Sequence, residues 1–147
     1  MKLRLLEKKD IKECGKIVRK NYDVHDEKLV IAEMKDMWSK GSFRPTYFVA
    51  EEKGKIIGFA GYIQSWIDYS VYNIFWVNVL QEEQKRGVGQ IVVKKIISEI
   101  KKHKNAKLII LSASTRRHND RYYKKHFGFK IIQKFGTTSH ALMSLEI

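Results

Sequence analysis

The stretch from about residue 71 to residue 113 limits the possible folds more than any other part of the chain. It begins with a long apolar run, 71–80 (VYNIFWVNVL), and ends with a second one, 107–113 (KLIILSA). Between them lie the polar segment QEEQKRGVGQ and an amphipathic helical pattern that ends near residue 104. A strand, a connecting helix and a second strand predict at least one parallel pairing, because parallel strands need a crossover connection.

The region before this unit predicts antiparallel neighbours instead. Two apolar runs, 47–51 and 56–66, flank a turn at residues 53–55, which is the pattern of a β-hairpin. Asp10 and Glu13 resemble a capping box in front of an apolar helical pattern. The remaining predicted elements are a short edge strand within residues 1–8, helices at about 11–22, 26–39 and 120–126, and strands at 129–135 and 141–146.

These elements give the order βααβββαβαββ within the 147 residues. That length predicts one domain, residues 1–147, which is long enough to bury a hydrophobic core. Hairpins combined with one crossover unit predict an α/β (α+β) fold. Its central sheet is expected to be mixed and mostly antiparallel, with helices on both faces.

Charge and cysteine content narrow the function classes. The formal net charge of +13 is compatible with an anionic partner, such as a nucleic acid, an acidic membrane surface or a phosphorylated small molecule, and equally with a Lys-rich composition that only keeps the protein soluble. The sequence has no helix-turn-helix, zinc-ligand or RNP-type pattern, which argues against nucleic acid. Cys14 is the only cysteine, so no intrachain disulfide is expected. The N-terminus is too polar for a signal peptide, and no apolar run could span a membrane, so we expect a cytoplasmic protein.

The segment after the strand 71–80 has the composition of an anion site. Gly87 and Gly89 lack a Cβ, so an anion can approach the backbone closely, and Lys85 and Arg86 add positive charge. The helix that begins near Gly87 contributes free N–H groups and the positive end of its dipole. A P-loop is excluded because Gln90 follows Gly89, and a Rossmann fingerprint is excluded because the third glycine is missing.

This segment resembles the pyrophosphate loop of the GNAT superfamily of N-acetyltransferases, Gln/Arg-x-x-Gly-x-Gly/Ala, at Gln84, Gly87 and Gly89. The preceding strand residues 75–79 and the following residues 91–93 also match, and the resemblance covers nearly the full chain. It implies the GNAT acyl-CoA N-acyltransferase fold. It also implies acetyl-CoA as cosubstrate, no metal, and an amine acceptor that is either a small molecule or a protein.

The resemblance further implies how the cosubstrate binds. The strand that carries Val79 should diverge from the strand 108–112. The pantetheine arm should lie in the gap and pair with backbone groups like an added strand. The implied cofactor-binding residues are Val77, Asn78, Val79, Gln84, Lys85, Arg86, Gly87, Val88, Gly89 and Gln90.

A second landmark of the family is a tyrosine that precedes a Gly-Phe pair and protonates, or donates a hydrogen bond to, the leaving thiolate. The usual spacing of four residues before Gly128 falls on Lys124, whereas Tyr123 lies five residues before it. One additional residue at the helix end would restore the match. The resemblance therefore assigns the catalytic role to Tyr123, with Tyr122 as the alternative. The family's asparagine has no clean match, since Asn119 lies too close to the glycine.

The general base stays open at this point. Asn73 stands where the histone-acetylating branch has a carboxylate, and an amide cannot act as a base. Asp68, His118 and His140 could accept a proton, directly or through water. A base is not needed if the acceptor amine loses its proton through a water chain.

The acceptor is also open, with protein N-termini, lysine side chains, polyamines, aminoglycosides and amino acids all compatible with the sequence. By resemblance, Trp38, Phe43, Trp66 and Tyr69 are candidates for the wall of the amine pocket, or else core and hairpin residues. We expect direct acetyl transfer from acetyl-CoA to a primary amine, in a monomer or a homodimer. The alternative is a basic nucleic-acid-binding or regulatory module that keeps the fold without catalysis.

Overall fold

The computed structural model describes residues 1–147 and contains seven strands and four helices. The strands are β1 (Lys2–Leu5), β2 (Thr46–Glu52), β3 (Lys55–Gln64), β4 (Val71–Val79), β5 (Leu108–Ser114), β6 (Lys130–Phe135) and β7 (His140–Glu146). The helices are α1 (Ile11–Asn21), α2 (Val24–Lys35), α3 (Val88–Lys101) and α4 (Asn119–Phe127). The predicted order βααβββαβαββ is confirmed.

The seven strands form one sheet in the order β1-β2-β3-β4-β5-β7-β6. Only β4 and β5 run parallel, and every other neighbouring pair is antiparallel. The helix α3 supplies the crossover that the parallel pair requires. The predicted mixed and mostly antiparallel sheet is therefore confirmed.

The hairpin between β2 and β3 follows the rules of tight turns. Lys53 and Gly54, the two residues between the strands, have φ angles of 52° and 76°. Two consecutive left-handed residues match the twist of the flanking strands, which favours glycine at one of them. The strands end within two residues of the predicted bounds.

The second helix differs from prediction at both ends. Helix α2 begins at Val24 rather than near residue 26, because the Asp23 carboxylate caps it by accepting a hydrogen bond from Asp26 N at 2.7 Å. It ends at Lys35 and continues as one 3₁₀ turn, Asp36–Trp38, where a regular helix to residue 39 was predicted. None of the helices combines the length and the apolar character that crossing a membrane requires.

The predicted capping box of Asp10 and Glu13 is wrong. Asp10 makes no capping bond to α1. Its carboxylate instead accepts hydrogen bonds from Arg4 at 2.7 and 3.1 Å and from the backbone N–H of Glu7 at 2.8 Å. Glu13 accepts a hydrogen bond from Ile56 N on β3 at 3.2 Å. Both carboxylates thus bind groups outside the helix, which the local sequence pattern does not reveal.

Hydrophobic cores lie on both faces of the sheet. The larger cluster packs α3 and α4 against the sheet through residues such as Ile96 and Phe129. The smaller cluster packs α1 and α2 against the other face and includes Val18, Met34 and Phe59. Helices on both faces were predicted, and the two clusters confirm them.

An irregularity in β4 controls the shape of the sheet. Trp76 and Val77 lie between the pairs Phe59–Asn78 and Gly61–Phe75, where β3 has only one residue. This β-bulge puts Trp76 at a φ of 52°, a conformation that is costly for a bulky residue. The indole Nε1 of Trp76 donates a hydrogen bond to Glu33 Oε2 on α2 at 2.9 Å, which anchors the bulge to the helix layer.

We predict that Asp10→Asn destabilises the protein by about 1 to 3 kcal/mol near pH 7, because it removes a charge-assisted partner of Arg4. Burial alone would raise the pKa of Asp10, but hydrogen bonds from Arg4 and the Glu7 backbone outweigh it and lower that pKa below 3.8. A lowered carboxyl pKa stabilises the fold above about pH 4, and this contribution is lost as the pH falls.

Urea unfolding of both proteins between about pH 3 and pH 7 measures this effect, and the difference between them should shrink toward the acid end. The exposed carboxylate of Glu146 forms no ion pair, so Glu146→Gln is the control and should change stability by less than about 0.5 kcal/mol. If the difference in stability between Asp10→Asn and the wild-type protein did not change with pH, the ionised Asp10 carboxylate would not be its source.

Candidate active site

Two adjoining clefts open where β4 and β5 separate. These strands pair only at Val71–Leu108, Tyr72–Ile109 and Asn73–Ile110, and diverge beyond that point as predicted. The strand cleft, of about 320 Å³, lies between residues 74–78 of β4 and 111–114 of β5. The loop cleft, of about 530 Å³, lies between residues 83–90 and α4. Residues common to both linings are Tyr22, Val77, Asn78, Arg117, Asn119 and Tyr123.

The backbone beside the loop cleft offers a row of free donors. The first hydrogen bond of α3 runs from Ile91 N to Gly87 O, and the backbone N–H groups of residues 85–90 donate to no other group of the chain. Gln84 N is already used, since it donates to Gln81 O at 3.3 Å. Free N–H groups at the positive end of a 14-residue helix form a site for an anion.

Glycine is needed in this segment for a physical reason. Gly87 precedes α3 with a φ of 81°, in the left-handed region that side chains disfavour. A Cβ on Gly89 would lie 3.4 Å from the Tyr122 hydroxyl, so a side chain there would begin to fill the space between α3 and α4. The two glycines therefore keep the backbone of this segment accessible from the cleft.

Nine of the ten predicted cofactor-binding residues line the loop cleft, and Arg86 does not. The Arg86 guanidinium forms ion pairs with Glu83 and with Glu52, the latter at 3.5 Å. Its charge is therefore balanced by carboxylates, while Lys85 lines the cleft without an ion pair. The Gln84 side chain faces the strand and donates from Nε2 to Val79 O at 3.1 Å.

Asn21, at the end of α1, is a site residue that the sequence did not indicate. Its Nδ2 donates to Asn78 Oδ1 and to Val79 O, both at 3.0 Å. Together with Gln84 it holds the end of β4 beside the cleft. Nothing in the local sequence marks Asn21, because both of its partners lie more than fifty residues away.

The two tyrosines of α4 occupy different positions. Tyr123 is 8% exposed and lines both clefts, whereas Tyr122 lines only the loop cleft. Burial raises the pKa of the Tyr123 phenol, so this group stays neutral and keeps its proton at neutral pH. Asn119, which the spacing had excluded, is the first residue of α4 and also lines both clefts.

Of the residues weighed as a base, only His140 lies at a cleft. It lines the strand cleft, and its Nδ1 lies 2.6 Å from Thr138 O, so Nδ1 is the donor of that contact and Nε2 has no hydrogen-bond partner in the chain. Asp68 binds Ser70 in the turn between β3 and β4, and His118 lines neither cleft. The amide of Asn73 is also outside both clefts, and its Oδ1 is buried without a partner.

The predicted aromatic wall does not line either cleft. Phe43 packs against Trp66 and Tyr69 at ring distances of 5.1 and 5.8 Å, at the far end of the β3–β4 hairpin. Trp38 packs beneath the Lys8 ammonium instead. Cys14 is fully buried in the core on the α1 face, and burial raises its pKa, so it is no nucleophile for this site. No group of three or more potential metal ligands occurs in the structure.

Comparisons with solved structures agree with this architecture. The chain is similar to a putative acetyltransferase of the GNAT family from Desulfovibrio desulfuricans, with a TM-score of 0.85 and 14% identity over 99% of this chain and 98% of that chain. It is similar to PaiA N-acetyltransferase from Thermoplasma acidophilum, solved with coenzyme A, with a TM-score of 0.77 and 14% identity over all of both chains. Aminoglycoside 6'-acetyltransferase type Ii gives a TM-score of 0.81 and 15% identity over 99% of this chain and 97% of that chain.

No curated protein matches in sequence. The model of the acetyltransferase (GNAT) family, however, matches residues 12–129, which is most of the chain. The match includes α3, its preceding loop and both tyrosines of α4. The chain therefore belongs to the GNAT acetyltransferase family.

Proposed function

We propose that this protein transfers the acetyl group of acetyl-CoA directly to a primary amine. The observation that carries the proposal is the junction of the two clefts. A row of free N–H groups, residues 85–90, lies at one end, and Tyr123 lies where the clefts meet. This arrangement suits a substrate with phosphates at one end and a reactive thioester at the other.

The loop cleft suits the nucleotide half of acetyl-CoA. Its pyrophosphate would accept hydrogen bonds from the free N–H groups before α3, supported by the charge of Lys85. Beyond Asn73, β4 has no strand partner on its β5 side. The amide groups of the pantetheine arm would pair there with backbone groups of Val77, Asn78 and Val79, like an added strand.

The transfer itself needs no covalent enzyme intermediate. The amine nitrogen attacks the thioester carbonyl carbon, whose oxygen is stabilised by a backbone N–H near Val79. The C–S bond then breaks, and the sulfur leaves as a thiolate. Tyr123 stabilises this thiolate with a hydrogen bond and supplies its proton, because burial keeps the phenol neutral.

The amine must lose its own proton before it attacks, since an ammonium has no lone pair. His140 is the group suited to receive that proton, because its Nε2 is free and it lines the strand cleft. The proton passes from the ammonium to His140, directly or through a water, and then to solvent. As the tetrahedral intermediate collapses, the nitrogen loses its second proton, which returns through solvent to the Tyr123 phenolate. The products are the N-acetylated amine and CoA, and both residues are then back in their starting states.

Acetyl-CoA at about one hundred times its dissociation constant should stabilise the protein by about 2.7 kcal/mol, measured as a rise in Tm. We predict that Gly87→Ala reduces this rise. Alanine disfavours the left-handed φ of residue 87, and a change of that φ would reorient the N–H groups of Val88 and Gly89. Gly54→Ala is the matched control, since Gly54 has a φ of 76° and an equally open Cβ position but lies in the β2–β3 turn.

Both alanine variants should lose about 1 to 2 kcal/mol without ligand, because each forces a side chain into the left-handed region. Only Gly87→Ala should also lose part of the response to acetyl-CoA. If acetyl-CoA raised the Tm of both variants equally, the loop before α3 would not be part of the binding site. No response in the wild-type protein would contradict acetyl-CoA binding altogether and favour the non-catalytic module.

Tyr123→Phe should lower kcat by about 10- to 100-fold, which is the effect expected from losing one hydrogen bond to a charged leaving group. The affinity for acetyl-CoA should stay within about twofold, because the hydroxyl acts on the thiolate that forms in the transition state. Steady-state kinetics and calorimetry separate these two quantities. Tyr122→Phe is the control, and equal kcat values in the two variants would exclude Tyr123 from the mechanism.

His140→Gln should lower kcat/KM by about tenfold or more near pH 7, because the acceptor amine is then mostly protonated. The loss should shrink above about pH 9, where solution supplies the free amine without a base. His118→Gln serves as control, since His118 lies outside both clefts. If the loss in kcat/KM were the same at every pH, the role of His140 would be structural.

A further inference from the structure

The lining of the strand cleft contains positive charge and no carboxylate. Two arginines, Arg116 and Arg117, are among its 17 lining residues. No aspartate or glutamate lines it. An acceptor that enters this cleft therefore meets two guanidinium groups with no carboxylate to receive a second ammonium.

These two arginines differ from others in the same chain. Arg4, Arg19 and Arg86 each form an ion pair with at least one carboxylate. Arg116 and Arg117 form none, and the same is true of Arg44 and Arg121. Arg44 and Arg121 line neither cleft, so Arg116 and Arg117 are the arginines without a carboxylate partner that lie where a substrate would enter.

Arg117 is also held in position. Its guanidinium carbon lies 4.4 Å from the centre of the Tyr22 ring, and its Nη2 donates to Asn21 O at 3.2 Å. These contacts tie the loop between β5 and α4 to the end of α1 across the cleft. A guanidinium fixed in this way binds an anion at lower entropic cost than a freely moving side chain.

The two arginines lie differently relative to the proposed acetyl-CoA site. Arg117 lines both clefts, so it can also face the donor substrate. Arg116 lines only the strand cleft, together with Thr138 and Ser139 of the β6–β7 turn. Arg116 therefore lies beside the part of the site that remains for the acceptor.

We propose that the acceptor is a small primary amine that also carries a carboxylate or a phosphate group, and that Arg116 and Arg117 bind this anionic group. The inference rests on the proposed acetyl transfer and specifies its substrate class. A planar guanidinium forms paired hydrogen bonds with a carboxylate or phosphate. The same charges disfavour polyamines and other acceptors with several positive charges.

The test uses pairs of amines that differ only in the anionic group. Lysine is compared with cadaverine, its decarboxylated form, and O-phosphoethanolamine with ethanolamine, while spermidine represents the polycations. Acetyl transfer is followed by CoA release at saturating acetyl-CoA. We expect kcat/KM to be about 10- to 100-fold higher for the anionic member of at least one pair, and lowest for spermidine. The pair of amines that shows this preference tells whether the site binds a carboxylate or a phosphate.

Variants then connect the preference to the arginines. Arg116→Gln should abolish most of the discrimination and raise KM for the anionic acceptor, with KM for acetyl-CoA unchanged. Arg116→Lys keeps the charge and should retain part of the preference. Arg121→Gln is the matched control, because Arg121 is an exposed arginine five residues later that lines neither cleft.

The possible failures are distinguishable. If the wild-type protein prefers the anionic amine in neither pair, or acetylates spermidine as well as the preferred anionic amine, the acceptor inference is overturned and acetyl transfer is left intact. A preference that survives in Arg116→Gln, and equally in an Arg117→Gln variant, would also overturn it. If acetyl-CoA raises the Tm but no amine of any class is acetylated, the proposed function itself is wrong, and the acceptor assignment falls with it.

Discussion

The early end of pairing between β4 and β5 is the constraint on which the rest of the site depends. The two parallel strands share only three residue pairs, up to Asn73 and Ile110. Beyond them β4 bends at the bulge of Trp76 and Val77, while β5 stays paired with β7 to its last residue, Ser114. One strand therefore turns away while the other is held, and a cleft opens in the middle of a sheet that is otherwise continuous.

The crossover helix makes this cleft suitable for a phosphate-bearing substrate. Because α3 must connect the open end of β4 with the paired end of β5, its N-terminus lies beside the opening. The unpaired edge of β4 then borders the same cleft as Lys85 and residues 87–90, whose N–H groups are free. A strand edge and a helix N-terminus thus combine into one site without any dedicated binding loop from elsewhere.

Different kinds of polar and charged groups also lie at different positions along the site. Free backbone donors lie at the loop end, a buried neutral phenol lies at the junction, and arginines without a carboxylate partner lie at the end proposed for the acceptor. Arg86, the most obvious cation of the loop, is instead paired with Glu83 and Glu52. Its side chain stabilises the loop, and the free charge of the site comes from other positions.

By itself, the sequence determined the features that arise from local chemistry. The alternation around the Lys53–Gly54 turn predicted the hairpin, and the glycines of the loop predicted an anion site, because each of these patterns lies within a few residues. The parallel pair joins residues as distant as Val71 and Leu108, and it was predicted from the order of strand, helix and strand along the chain. The tertiary structure alone decided which candidates meet. Asp10 binds Arg4 instead of capping a helix. Asn21 forms a hydrogen bond with the end of β4. Of the candidate bases, His140 lies at the cleft and Asp68 does not. These contacts join groups whose positions depend on the packing of whole strands and helices, so no short pattern could encode them.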